Sequence, residues 1–176
     1  MVAGFDYYLN TGDTKLTDHH MILIPRSQGF TTAAHIDNRR YPAAHYANSA
    51  LHQTVLPCYA KSLKTALNNH VLSHRTLLRS GSATSYSMVW SSTDLQLMTE
   101  SQVFGCAIHS DDTTRGNGLD NKILPVFNFI DPQAYAIGDF WTRNFTSGPV
   151  YVNNQGALDV AAVTGSSRIR PIIVFG

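Results

Sequence analysis

Charged side chains are scarce in this chain: Asp, Glu, Lys and Arg make up 14% of it and the formal net charge is +1. A domain that grips nucleic acid or an anionic membrane surface builds a basic face, and too few cations are present for one. Neither partner is expected. Cysteine is almost absent as well. Cys58 and Cys106 are too few for a disulfide framework and show no metal-type spacing, so they read as buried thiols, with a single disulfide as the lesser alternative. No apolar run approaches the ~20 residues of a membrane-spanning helix, and the first ten residues lack the basic-then-apolar layout of a secretory leader. Polarity comes instead from Asn, Ser, Thr and Gln, which suit short-range hydrogen bonding better than long-range steering.

With 176 residues and no linker-like run, the chain is expected to form one domain over 1–176, with strands and a loop in 1–40 as its less regular part. The strongest patterning is in residues 139–176. Val150 and Val152 alternate with Tyr151, Leu158 and Val160 alternate with Ala157 and Asp159, and the Asn-Asn-Gln-Gly connection makes the pair a hairpin. Ile169, Ile173 and Phe175 fall on one face of the closing strand, Ile172 and Val174 on the other, so that strand is expected to be buried on both sides. Phe5 to Leu9 reads as a first strand that could pair with the closing one, with Met21 to Ile24 as its neighbour.

Helix signals are fewer. Leu51, Val55, Tyr59, Leu63 and Leu67 recur every four residues and place one apolar stripe on a helix over 49–67, which Pro57 should kink or split. Thr99 followed by Gln102 has capping-box spacing, so a short helix is expected over 99–105, ending at Gly105. Residues 71–78 alternate loosely as a strand. Residues 109–121 carry no apolar period and read as the long surface loop. The expected fold class is α+β, with antiparallel sheets and these two helices.

Several motifs stand in a particular order. Tyr46-Ala47-Asn48-Ser49-Ala50-Leu51 opens the helix, and residues 95–105 (Leu-Gln-Leu-Met-Thr-Glu-Ser-Gln-Val-Phe-Gly) run from strand into short helix. Phe140-Trp141-Thr142-Arg143, then 150–158 (Val-Tyr-Val-Asn-Asn-Gln-Gly-Ala-Leu), then Ile169-Arg170-Pro171 follow. Over residues 40–176 this resembles the C-type-lectin-like domains of bacteriophage and prophage structural proteins, which end on a Trp-x-Arg strand, a Val-Tyr-x-Val-x-x-x-Gly-x-Leu hairpin and an Arg-Pro strand. Gln102 stands where that family usually has Glu, and Thr142 where it usually has Leu. The general fold is shared more distantly with phage tropism-determining tail-tip proteins and formylglycine-generating enzymes.

The resemblance implies a non-enzymatic virion structural protein that displays loops for host attachment or docks on other virion proteins, in a tail fibre, baseplate or capsid decoration. Its partners would be virion proteins or a host receptor, protein or glycan, and homo-oligomers, trimers among them, are expected. The alternatives are an enzyme domain of the formylglycine-generating type and a carbohydrate-binding module of a bacterial surface protein. The expected binding face comprises the 109–121, 144–148 and 164–167 loops, with Thr113, Arg115, Asn117, Asn144, Phe145 and Ser166 as contacts and Phe145 as apolar anchor; the competing structural reading packs Phe145 on Tyr151. Asp111, Asp112 and Asp120 are weak Ca²⁺ candidates, since their spacing is not that of a calcium loop. His70 and His74 lack a third ligand, and His45 and His52 read as capping or surface residues. Trp141 and Arg143 could form an aromatic-guanidinium platform, but a buried Trp and an Arg paired to Asp94, Glu100 or Asp139 is the weightier expectation. No Gly-x-Ser-x-Gly elbow, phosphate-cradling loop or paired carboxylates are visible, so neither catalysis nor a cofactor is expected.

Overall fold

A computed structural model describes residues 1–26, 34–35 (backbone only), 45–81, 85–109, 122–135, 138–162 and 164–176. The chain is a mixed helix and antiparallel-sheet protein. Its central sheet contains β1 (Val2–Phe5), β2 (Met21–Leu23), β6 (Leu95–Leu97) and β11 (Pro171–Phe175) in the order β1-β2-β11-β6. The closing strand is therefore interior, as its two-faced apolar pattern requires. Ile172 and Val174 face one core cluster with Ile22, Met98, Val103, Phe127 and Phe140. Ile173 faces a second, with Leu51, Leu56, Leu95, Leu97 and Trp141.

Long-range pairing differs from the expectation at the first strand. The first strand covers Val2–Phe5 rather than Phe5 to Leu9, and β2 lies between it and β11, pairing Met21 with both Phe5 and Phe175, so the first strand does not pair with the last. The hairpin of β8 (Pro149–Val152) and β9 (Leu158–Val160) joins β7 (Phe140–Phe145) in a separate three-stranded sheet. Backbone bonds of Trp141 and Asp139 with Arg168 join that sheet to the C-terminal segment. Successive β7 residues enter the two cores: Phe140 packs in the first and Trp141 in the second, both fully buried. Trp141 is thus a framework residue. Thr142 is also fully buried, and its hydroxyl donates to the Val150 carbonyl at 2.8 Å, which resolves the polar residue at that inward position.

The helix predicted over 49–67 is built in two parts, a π turn at Leu51–Val55 and α1 (Leu56–Ala66), and a separate 3₁₀ turn at Tyr46–Asn48 precedes it. The Leu56 amide reaches back five residues to the Leu51 carbonyl. This wide turn puts Leu56, rather than Val55, beneath Leu51, so the buried positions are Leu51, Leu56 and Ala60, one step from the expected stripe. Pro57 sits in the first turn of α1, where its missing N–H is tolerated. The second predicted helix, α2 (Glu100–Phe104), has both halves of its capping box, with Thr99 accepting from the Gln102 amide and Gln102 from the Thr99 amide, and Gly105 ends it in the left-handed region. A third, α3 (Pro132–Tyr135), starts at Asp131-Pro132, which sequence suggested only as a turn; the Asp131 carboxylate accepts from the Gln133 amide at 2.7 Å.

The remaining pair is a long two-stranded ribbon, β4 (His74–Gly81) against β5 (Tyr86–Thr93), three residues later than the strand expected at 71–78. Two very short strands, β3 (Ala34–His35) and β10 (Ser166–Ser167), pair with each other. Both cysteines are exposed, contrary to the buried-thiol expectation. Cys58 falls on the side of α1 away from Leu56 and Ala60, and Cys106 follows the helix-ending Gly105. No helix among the described residues is long and apolar enough to cross a membrane.

Candidate functional site

A buried polar network ties the elements together before any site is formed. The Tyr8 hydroxyl accepts from the side-chain amides of Gln96 and Gln102, each at 2.7 Å. Gln96 in turn accepts from Arg143 at 2.7 Å, and the same guanidinium nitrogen donates to Thr76 at 2.6 Å. The carboxylates expected to hold Arg143 are engaged elsewhere: Asp94 with Lys64, Glu100 with the amides of Ile108 and His109, and Asp139 with the amide of Asn154. Arg170 is fully buried, with its guanidinium 4.6 Å from the Tyr135 ring and 5.0 Å from that of Phe140, so it is a core cation.

This framework fixes a groove of about 550 Å³ between one side of the π turn and α1 and the base of the β4–β5 ribbon. One wall carries His52, Gln53 and Lys64. The other carries Ser73, Ser91, Ser92, Thr93 and Asp94, and Leu56, Ala60 and Leu95 supply apolar surface. Lys64 Nζ donates to Asp94 Oδ1 at 2.7 Å, the Ser73 hydroxyl donates to the same oxygen, and Lys64 also lies 3.4 Å from Ser73 Oγ. The ammonium and carboxylate are each about 30% exposed, so their attraction is screened and serves to fix geometry more than to stabilise the fold.

His52 is placed by the wide turn. Its backbone amide donates to Ser49 Oγ at 3.2 Å, and Ser49 donates to the Tyr46 carbonyl at 2.7 Å. The imidazole lies 4.8 Å from the Tyr46 ring. Burial foremost, and the nearby Arg143 guanidinium second, hold its pKa down at about 4, so the ring is neutral at physiological pH. His52 and His45 are therefore not the surface or capping residues expected from sequence. His45 is buried with its ring 5.8 Å from that of Tyr86, and its side chain caps nothing. His70 and His74 also diverge: His70 is exposed and bonds the Gly176 carbonyl, whereas His74 is buried and stacks on Tyr8 at 4.4 Å.

The residues nominated from sequence are dispersed. Thr113, Arg115 and Asn117, with the calcium candidates Asp111, Asp112 and Asp120, lie outside the described residues. Asn144 is half-buried and accepts from the Glu100 amide at 2.8 Å, which makes it an α2 anchor. Phe145, next to it at the end of β7, is half-buried against the cluster of Trp141 and Tyr151, in line with the competing structural reading. Ser166 is exposed, but on the short strand β10. Sequence reasoning missed the groove because Lys64 and Asp94 are 30 residues apart, and only a pairing of ribbon and helix brings them together. The available signal was weak: Asp94 is the one acid in the polar run 91–94.

No family model, curated protein or solved structure matches this chain.

Proposed function

We propose that the chain is a non-enzymatic binding or structural domain of a bacteriophage particle, with a C-type-lectin-like fold, that docks on a host surface component or another virion protein. The ordered motifs over residues 40–176 motivate it. The observation that carries the binding role is the helix–ribbon groove, whose polar groups are held in fixed geometry by one another. The Ser73 proton is committed to Asp94, and Asp94 to Lys64. That closed set offers hydrogen-bonding positions to a ligand rather than a nucleophile with a free base beside it. Interior placement of the closing strand, whose Ile173 shares the second core with Leu56, Ala60 and Leu95, gives the groove a rigid base.

The domain works in the virion as a homo-oligomer, in which several grooves act together and raise avidity. Quantitative mass spectrometry of density-purified particles from the encoding culture tests this placement, with native mass of the purified chain alongside. The chain is expected at fixed stoichiometry in the particles. Its confinement to the soluble fraction would overturn the virion role.

A further inference from the structure

The groove holds more hydrogen-bonding capacity than its own residues use. Asp94 receives both of its bonds on Oδ1, and Lys64 spends two, on Asp94 and Ser73. Ser91 and Ser92 also line the groove, Ser91 making only a long 3.5 Å bond to the Ser92 carbonyl.

Charge narrows what could use these groups. One ammonium and one carboxylate line the groove and cancel, and the depressed pKa of His52 adds no third charge. An anion would have to separate Lys64 from Asp94, and a cation would have to displace Lys64. A neutral ligand does neither. Hydroxyl groups fit best, because each both donates and accepts: one can give its proton to Asp94 Oδ2 while taking one from Lys64. A flat aromatic ligand has no tyrosine, tryptophan or phenylalanine face to stack on, since the apolar lining is aliphatic. The volume falls in the range of small-molecule sites, roughly 300–1,000 Å³.

We infer that this groove is a metal-independent site for a neutral polyol of mono- to disaccharide size, held edge-on by Asp94 and Lys64. The inference rests on the reading of the groove as a binding surface, and names its ligand class. Among the described residues no cluster of three or more His, Cys, Asp or Glu is placed to hold a metal ion, and the groove itself supplies only one carboxylate.

The test is a titration of the ¹⁵N-labelled full chain with neutral methyl glucoside, galactoside and mannoside and with N-acetylglucosamine. Glucuronic acid and glucosamine serve as charged counterparts. Ring resonances of His52 and the amides of residues 91–95 are followed. At least one neutral sugar is expected to shift them saturably, unchanged by EDTA, and more tightly than either charged analogue. Asp94→Asn is expected to weaken binding about tenfold, the loss of a hydrogen bond to a charged group. Because that change also disturbs Lys64 and Ser73, Ser92→Trp, which crowds the groove from an exposed position, must abolish binding while leaving the remaining spectrum in place. The inference is overturned if no sugar binds saturably, if EDTA removes binding, if the charged analogues bind as well, or if both variants bind like the parent. Attachment to particles or cells is scored separately. Loss of attachment in Ser92→Trp without any sugar binding refutes the ligand class alone, whereas sugar binding without an effect on attachment supports the ligand class and refutes the docking role of the groove.

Discussion

Replacing Tyr8 with phenylalanine removes one oxygen and almost no volume, yet it acts at the centre of the buried network. The phenol is 1% exposed and accepts from two side-chain amides, Gln96 Nε2 and Gln102 Nε2, whose residues are fully buried. Without the oxygen both donors lose that acceptor in a region where water is excluded. A stranded buried donor costs about 1–3 kcal/mol, and partial rotation of one amide recovers some of this, so the expected loss is about 2–4 kcal/mol. For a chain of this size that lowers Tm by about 5–12 °C. The assay is urea unfolding followed by tryptophan fluorescence and far-UV circular dichroism, with coincident transitions and an unchanged m-value required for the comparison. A double-mutant cycle with Gln96→Met sharpens it: once Tyr8 is Phe, removing Gln96 should cost distinctly less than in the parent. A Tyr8→Phe protein within about 0.5 kcal/mol of the parent would refute the network as a structural centre.

Three other outcomes follow from individual sites. Thr99→Ala removes the acceptor for the Gln102 amide in the capping box and is expected to destabilise by about 1 kcal/mol, read by the same urea titration. Gly156 has φ +78° in the β8–β9 turn, and a Cβ there would lie 2.5 Å from the backbone of Gln133 in α3; Gly156→Ala should cost at least about 2 kcal/mol, whereas Ala157→Gly nearby should cost less than half of that. The folded-state pKa of His52 is about 4 against 6.5 for a free imidazole, so the unfolded chain takes up a proton first as pH falls. Stability is therefore complete above pH 6.5 and declines toward pH 4, by at most about 3 kcal/mol. His52→Gln should flatten the Tm profile across that window, and an equally steep profile in the variant would show that another group sets it.

What could be read from the sequence was whatever local geometry dictates. The capping box of Thr99 and Gln102, the left-handed Gly105, the Asn-rich hairpin turn and the two-faced closing strand all depend on residues within a few positions of each other. The long helix was legible in extent but not in phase, because four-residue spacing assumes an α turn and the chain makes a π turn at Leu51–Val55, shifting burial to Leu56. Strand order was not legible, since Met21–Leu23 could pair beside either terminal strand and only the assembled core places it between them. The cysteines were misjudged because a residue's usual preference for burial says nothing about which side of a helix it occupies. The groove depends on Lys64 meeting Asp94 and on a neutral, half-buried His52. Neither leaves a periodic trace.

The claim on which the rest depends is that this domain acts by binding through the groove between α1 and the β4–β5 ribbon. Its most direct measurement compares attachment of the parent chain and of Ser92→Trp to purified particles and to intact host cells, with unfolding midpoints determined for both. The account predicts equal midpoints and attachment lost only in the variant; equal attachment by two equally stable proteins would contradict it.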